Sequence, residues 1–348
     1  MRVKVSESAT MFWSGSRLVW DDPLRRSQHA LTAESEVLLR WFARWRELES
    51  ARELGERSLA VARRLVEAGV LVAEGSEGHA AEARLRERWG VWGASARQFH
   101  FAARTPAGQR WLSIAGDAAE MQARASTETP PPVAMSLPER PLVALPGTVA
   151  NGWARPRMLD ALQARRSTRR FAAEPLGLEE LATVVQLAAG IADRLAEGGG
   201  VLKTSPAPGA WHPVEVYVEA RRVEGLAPGV YHYAPTRGGL EDLGRAPLGE
   251  AAGAALGNQP WLADAAALLV YTGVLERAQW RYRSARAYRD VLIGLGHVSQ
   301  TVLLTASAMG LGAVFATAVC DEDLERHLGC DPVDEIVLGV TALGRPAG

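Results

Sequence analysis

The sequence predicts an α+β protein in which helices surround a mixed central sheet in the C-terminal half, behind a small N-terminal helical module. Three observations carry that expectation. From Met158 onward, helix-period stretches at Leu159–Gln163, Leu178–Ala189 and Val291–Met309 alternate with strand-like runs at Val214–Glu219, Ala266–Thr272 and Ile336–Leu343. Between 126 and 156 the chain becomes proline-rich and weakly periodic, as a linker or a strap laid over a surface does. Before that, apolar residues recur at helical spacing and no long strand signal stands out. The expected divisions are 1–75, a helical extension over 76–125, the linker over 126–156, and the α+β domain over 157–348.

The first helix of the N-terminal module starts at Thr32, a plausible N-cap, with Glu34 and Glu36 where the helix dipole favours anions. Val37, Leu38, Trp41, Phe42 and Trp45 follow at helical spacing. A second helix, Ser58 to Ala68, stops at Gly69 and gives way to Val70-Leu71-Val72. Helix, helix and a short strand pair is a winged-helix-like pattern. No basic recognition face accompanies it, so a peptide-holding or structural role is expected ahead of DNA binding.

Bulk properties exclude several classes. The chain has 348 residues and a net charge of −1, which gives no electrostatic footprint for nucleic acid or a membrane surface. Two cysteines, Cys320 and Cys330, are too few for a disulfide framework and suggest a reducing cytoplasm. The seven histidines show no metal-ligand spacing, so no metal is expected. The opening MRVKVSESATMFW lacks the apolar run of a signal peptide. From Val291 to Cys320 there is no Asp, Glu, Lys or Arg, a stretch of membrane-spanning length. Its histidine, glutamine, hydroxyls and glycines fit a helix buried between protein layers and followed by a strand.

Three stretches could carry chemistry. "RRSTRRF", Arg165 to Phe171, sets arginine forks around a serine, which suits a phosphate monoester; taken alone it also fits a basic helix C-terminus. "SPAPGAWHPVEVYV", from Ser205, is a rigid turn delivering a strand, the kind of loop whose backbone can approach a flat ligand. "WRYRSARAYRD", from Trp280, packs four arginines and two tyrosines together, with no acid before Asp290.

With "GLAPGVYHYAP", "GHVSQTVLLTASAMGLGA" and "EIVLGVTALGRP", these stretches resemble the nitroreductase superfamily, and within it the SagB-type dehydrogenases of azole-containing peptide biosynthesis. "WGASARQFHFAAR" is similar to the segment before the catalytic domain of that subfamily. The resemblance implies a flavoprotein that binds FMN at a homodimer interface and oxidises thiazoline or oxazoline rings of a peptide, with a cyclodehydratase as a possible partner. It implies phosphate binding by Arg165, Arg166, Ser167, Arg169 and Arg345, and a flavin-side loop over Pro206, Ala207, Pro208, Gly209 and Ala210. Thr317 and Ala318 match the segment facing the ring near N5. His212, Arg286 and Tyr288 fall on the substrate side, and Arg281 and Tyr282 at the catalytic position.

The chain departs from that family at telling places. Many relatives carry Lys-Tyr where this chain has Arg281-Tyr282, and an arginine does not serve as a base at neutral pH. Arg281 is then expected to orient substrate or stabilise an anion. Tyr282 becomes the leading candidate base, since a guanidinium beside a phenol favours the phenolate. Ala207 stands where a serine is usual, Gly294 where glutamate is frequent, and Thr301 where asparagine is common. Three outcomes follow: an active azoline dehydrogenase, a divergent subunit that holds peptide or partner without redox turnover, or a flavoenzyme of the same fold acting on another peptide bond or a small molecule.

Overall fold

The computed structural model describes residues 1–90, 93–104, 112–147, 158–194, 200–249 and 252–347. Its chain forms two units, Met1–Gln109 and Arg110–Gly348. The first holds β1 (Arg2–Val5), β2 (Thr10–Ser14), β3 (Arg17–Asp22), β4 (Ser27–Ala30), α1 (Ala33–Trp41), β5 (Arg46–Glu47), α2 (Ser58–Glu67), β6 (Leu71–Ala73), α3 (Glu77–Trp89) and α4 (Gly93–Ala102).

Thr32 caps α1 as expected, its side chain accepting from the Ser35 amide at 3.2 Å. α1 ends at Trp41, so Trp45 lies outside it. α2 stops before Gly69, which takes φ 75°. The expected helix–helix–strand order is present, but no strand pair follows α2. β6 pairs instead with β1, and β2, β3 and β4 form a separate antiparallel sheet. Those early strands escaped the sequence because TMFWS and SQHA carry no apolar–polar alternation. α3 belongs to this unit through Glu82, which is buried, accepts from the Ser6 hydroxyl and pairs with Arg25.

The second unit holds α5 (Ile114–Ala125), β7 (Leu142–Ala144), α6 (Met158–Ala164), β8 (Leu176–Gly177), α7 (Leu178–Ala189), β9 (Ile191–Arg194), β10 (Val201–Lys203), β11 (Val214–Ala220), β12 (Val223–Glu224), β13 (Gly229–Ala234), β14 (Gly239–Asp242), α8 (Ala252–Ala255), α9 (Pro260–Ala263), β15 (Ala267–Val274), α10 (Leu275–Arg281), α11 (Ala287–Ala308), β16 (Gly312–Ala316), α12 (Asp321–Leu328) and β17 (Glu335–Gly344). Seven strands form its sheet in the order β16-β17-β15-β11-β13-β14-β7, and every named pairing in it is antiparallel. Among the described residues, parallel pairing appears at the sheet edge, where Ser167 bridges to Ala313, and in the separate β8–β12 pair.

β15 shows why the central strands read as unbroken apolar runs. Leu269 and Tyr271 face the core shared with α7 and α11, while Leu268 and Val270 face the core shared with α8, α9 and α12. Both faces are covered, so alternation disappears. α11 is long and apolar enough to cross a membrane by length and composition. Its Leu295, Val298, Val302 and Ala306 pack into the sheet core, and β16 follows it, as the sequence suggested.

The proline-rich segment is more than a linker. Its described part ends in β7, the seventh strand of the sheet, while 148–157 lie outside the described residues. Upstream, the Met135 amide donates to Glu215 at 2.9 Å and the Leu137 amide to Glu241 at 2.9 Å. Both carboxylates are buried, with His232 between them at 3.3 and 2.8 Å. Arg277, 2% exposed, pairs with Glu215 at 2.5 Å and donates to Pro132 O at 2.8 Å. Burial alone would raise the Glu215 carboxyl, but Arg277 and His232 outweigh it and hold it well below the usual range. Removing one partner of such a pair strands the other charge in the core. Arg277→Leu is therefore expected to lower the unfolding free energy by about 3–5 kcal/mol in urea titrations; a loss under about 1 kcal/mol would contradict this account of the strap.

Candidate flavin and substrate site

The loop expected beside a flavin has an unusual backbone. Gly209, Ala210 and His212 take φ of 68°, 58° and 34°, so three of four consecutive residues are left-handed, two of them without glycine's freedom. Such a shape persists only where its surroundings fix it. Ser205 donates to the Thr301 hydroxyl at 2.8 Å, His297 Nδ1 lies 2.9 Å from Pro206 O, and the Ala210 amide donates to Ala207 O at 3.1 Å. Thr301, a departure from the family pattern, is thus a working anchor.

Two arginines one helical turn apart on α10 complete the clamp. Arg277 donates from Nη1 to His212 O at 3.1 Å. Arg281 lies against Gly209: a Cβ there would fall 2.6 Å from Arg281 Nε and 2.7 Å from its Cγ. Arg281 cannot readily move aside, because both its terminal nitrogens bind Asp117 of α5, at 2.9 and 2.6 Å. The same guanidinium sits 4.5 Å from the centre of the Tyr282 ring.

The charge of Arg281 is thus answered by the Asp117 carboxylate and faces the ring of Tyr282. The missing acids of the arginine-rich stretch are also found: Asp117 takes Arg281, and Glu128 takes Arg283. Nothing local in the sequence pointed to Asp117, which lies 164 residues away.

Tyr282 lines an open cleft of about 340 Å³ together with Leu275, Gln279, Ser284, Tyr288 and Val291. The structure therefore brings Tyr282 and Tyr288 together. Arg286 is exposed and does not line the cleft.

The phosphate motif is held by backbone. The Thr168 amide donates to Ala313 O at 3.0 Å, and the Ala172 and Ala347 amides donate to Arg345 O and Arg170 O, both at 2.9 Å. The arginine segment thus runs between β16 and the C-terminal residues. Arg166 and Arg169 are exposed and Arg165 half-buried. Among the described residues none of the three is paired with a carboxylate: Arg166 Nη1 meets only the carbonyls of Gln163 and Arg165, and Arg169 lies 5.8 Å from the Trp261 ring centre. That donor set, with the exposed Ser167 hydroxyl, fits a phosphate dianion. Thr317 and Ala318 are exposed after β16, and among the described residues their amides have no acceptor. FMN fits these residues.

Two expected residues are committed elsewhere. Arg345 gives Nη2 to both oxygens of Glu180, at 3.0 and 2.9 Å, tying the chain end to the start of α7. His212 points inward, 5% exposed, with Nε2 2.9 Å from Val201 O, so it does not face a substrate. Burial pushes its imidazole down to about 4, and the Lys203 ammonium adds to this. Lys203 was not singled out from the sequence, because it stands on β10 outside every motif. It lines a cavity of about 10 Å³ with Pro206, Ala207 and His212, too tight for a ligand. Burial also lowers its ammonium below the usual lysine range.

The structure combines a helix-flanked antiparallel sheet, arginines at 165–169 with no carboxylate partner among the described residues, and a left-handed loop fixed by α10 and α11. Residues 162–345, more than half of the chain, match the Nitroreductase family, and the chain belongs to that family. Members of it are FMN-dependent oxidoreductases. The chain is 36% identical over 169 residues to "Putative nitroreductase MJ1384" of Methanocaldococcus jannaschii, covering 49% of this chain and 82% of that one. It is 28% identical over 186 residues to the trifolitoxin-processing protein TfxB of Rhizobium leguminosarum bv. trifolii, covering 49% of this chain and 48% of TfxB. A nitroreductase-type crystal structure from Anabaena variabilis is similar, with TM-score 0.54 and 25% identity, covering 72% of this chain and 47% of that one.

Two outcomes test the loop. Gly209→Ala adds left-handed strain of about 1–2 kcal/mol and pushes on a pinned arginine, so it should lower stability by at least that much in denaturant titration, whereas a neutral effect would deny the contact. His212 binds fewer protons folded than unfolded between pH 6.5 and 4, so its contribution is present above pH 6.5 and lost as pH falls. His212→Asn should flatten the stability loss across that window by up to about 3 kcal/mol; an unchanged slope would contradict the buried neutral imidazole.

Proposed function

We propose that this chain is an FMN-dependent dehydrogenase, working in the cytoplasm, that oxidises thiazoline or oxazoline rings in a ribosomally made peptide. The observation that carries the reading is the seating of Tyr282, held under Arg281 at the end of the flavin-side loop and opening onto a cleft wide enough for a five-membered ring. The likeness to a trifolitoxin-processing protein supports a peptide as substrate.

Aromatising an azoline removes one ring proton and one hydride. FMN, when bound, supplies the two-electron acceptor for the hydride. The chain's own residues do the rest. Arg165, Arg166, Ser167 and Arg169 bind the phosphate, and Pro206 to Ala210 present backbone to the ring. Thr317 and Ala318 would offer amides to the flavin, Tyr288 walls the substrate, and Tyr282, as its phenolate, takes the ring proton and becomes the neutral phenol. A cyclodehydratase, which forms azolines from cysteine, serine or threonine, would supply the substrate. The N-terminal unit would hold the peptide or that partner.

Exposed Met158, Leu159 and Leu162 of α6 and Leu292 and Ile293 of α11 give adjacent helices an apolar outer face. A second copy of the chain covers it in this reading, forming a homodimer. One observation favours the alternative of a redox-inactive, peptide-holding subunit: the position where relatives carry lysine is filled by an arginine engaged with Asp117.

A preparation with oxidised-flavin absorbance is the expected outcome, and a colourless protein that cannot be loaded with FMN would leave the subunit reading. Arg166→Ala removes a charged donor and should weaken FMN at least tenfold by fluorescence titration, about 1.5–3 kcal/mol. Tyr282→Phe should keep FMN and lose turnover by about 10²–10⁴; full activity would remove Tyr282 as the proton acceptor.

A further inference from the structure

We infer that the free edge of β2 in the N-terminal unit, with the cleft beside it, binds an extended peptide segment carrying apolar side chains at alternate positions. The inference sharpens the peptide-holding role given to this unit, and rests on the dehydrogenase reading only for the source of the peptide.

β2 is the outer strand of its sheet, bonded to β3 alone among the described residues. Ser14 pairs with Arg17 across the turn at Gly15, where φ is 59°. In a two-residue hairpin the pair flanking the turn is the hydrogen-bonded one, and bonded pairs then recur at every second residue. Phe12/Val19 and Thr10/Asp21 are therefore also bonded pairs. The N–H and C=O groups of Met11 and Trp13 point away from β3, along an open edge.

Edges of this kind are normally blunted by lysine, proline or charge. TMFWS has none, and it exposes Met11, Phe12 and Trp13 by 52%, 43% and 68%. Met11 and Trp13 lie on the face of their partners Trp20 and Leu18. That face borders a cleft of about 450 Å³, whose lining includes Val5, Met11, Leu18, Trp20, Leu39 and Arg40. A strand added to β2 would satisfy the outward backbone groups and set every second side chain on the cleft's face.

The backbone edge selects the occupant. A helix cannot complete its ladder. A second copy pairing through its own β2 would bring a Met11 that already lines its own cleft, leaving both clefts unfilled. An extended peptide with alternate apolar side chains fills edge and cleft together.

The test uses the full chain and a fluorescein-labelled synthetic nonapeptide alternating leucine and threonine between terminal lysines. Fluorescence anisotropy should show saturable binding, weakened at least tenfold by N-methylating alternate peptide amides. Met11→Pro removes an outward N–H while sparing the bonds to β3, and should weaken binding equally with an unchanged circular dichroism spectrum. Trp13→Lys, which places charge on the same face, should do the same. No saturable binding, or equal binding of the N-methylated peptide, would overturn the proposal. Self-association in sedimentation that Met11→Pro abolishes, without peptide binding, would give the edge to a second copy instead. FMN loading of each variant is read separately, so a failed edge leaves the dehydrogenase reading standing, and a failed flavin site leaves this one.

Discussion

Two arginines one helical turn apart on α10 hold the most strained backbone of the candidate site. Arg277 grips His212 O from within the core, and Arg281 closes over Gly209. Between them the loop keeps three left-handed residues that would otherwise relax. Each arginine is fixed by an acid from a different part of the chain, Glu215 on the central sheet and Asp117 on α5. The loop's shape thus depends on long-range ion pairs rather than on its own sequence.

That arrangement explains an arginine where a lysine is usual. A permanently charged fork that meets a carboxylate with two hydrogen bonds is better suited to holding a geometry than to exchanging a proton. In the proposed reaction proton transfer is assigned to Tyr282, whose ring the same fork covers. Two of the four arginines in the 280–290 stretch, Arg281 and Arg283, are answered by acids of 117–128.

Legibility followed the range of the interaction. The α11 helix, β11, β15 and β17 could be read because burial on one or two faces writes itself into local composition. The arginine run at 165–170 and the turn at Pro206–Ala210 could be singled out because both are short and contiguous, but the turn's left-handed backbone could not. Asp117, Glu180 and Lys203 could not, since their roles exist only after the chain folds. The same holds for the strap around Met135 and Leu137, which works through backbone amides that any residue would supply. Arg345 and His212 were placed by motif position, and their hydrogen bonds to Glu180 and Val201 give them other work.

The central claim is that Asp117, through Arg281, fixes the loop at Gly209. Hydrogen–deuterium exchange across 205–213 in Asp117→Asn measures it directly. Loss of the bidentate pair should speed exchange of the Ala210 amide at least tenfold, about 1.4 kcal/mol of local stability, with β15 and β17 unchanged. Undiminished protection of that amide, with Arg281 freed from its acid, would contradict the account.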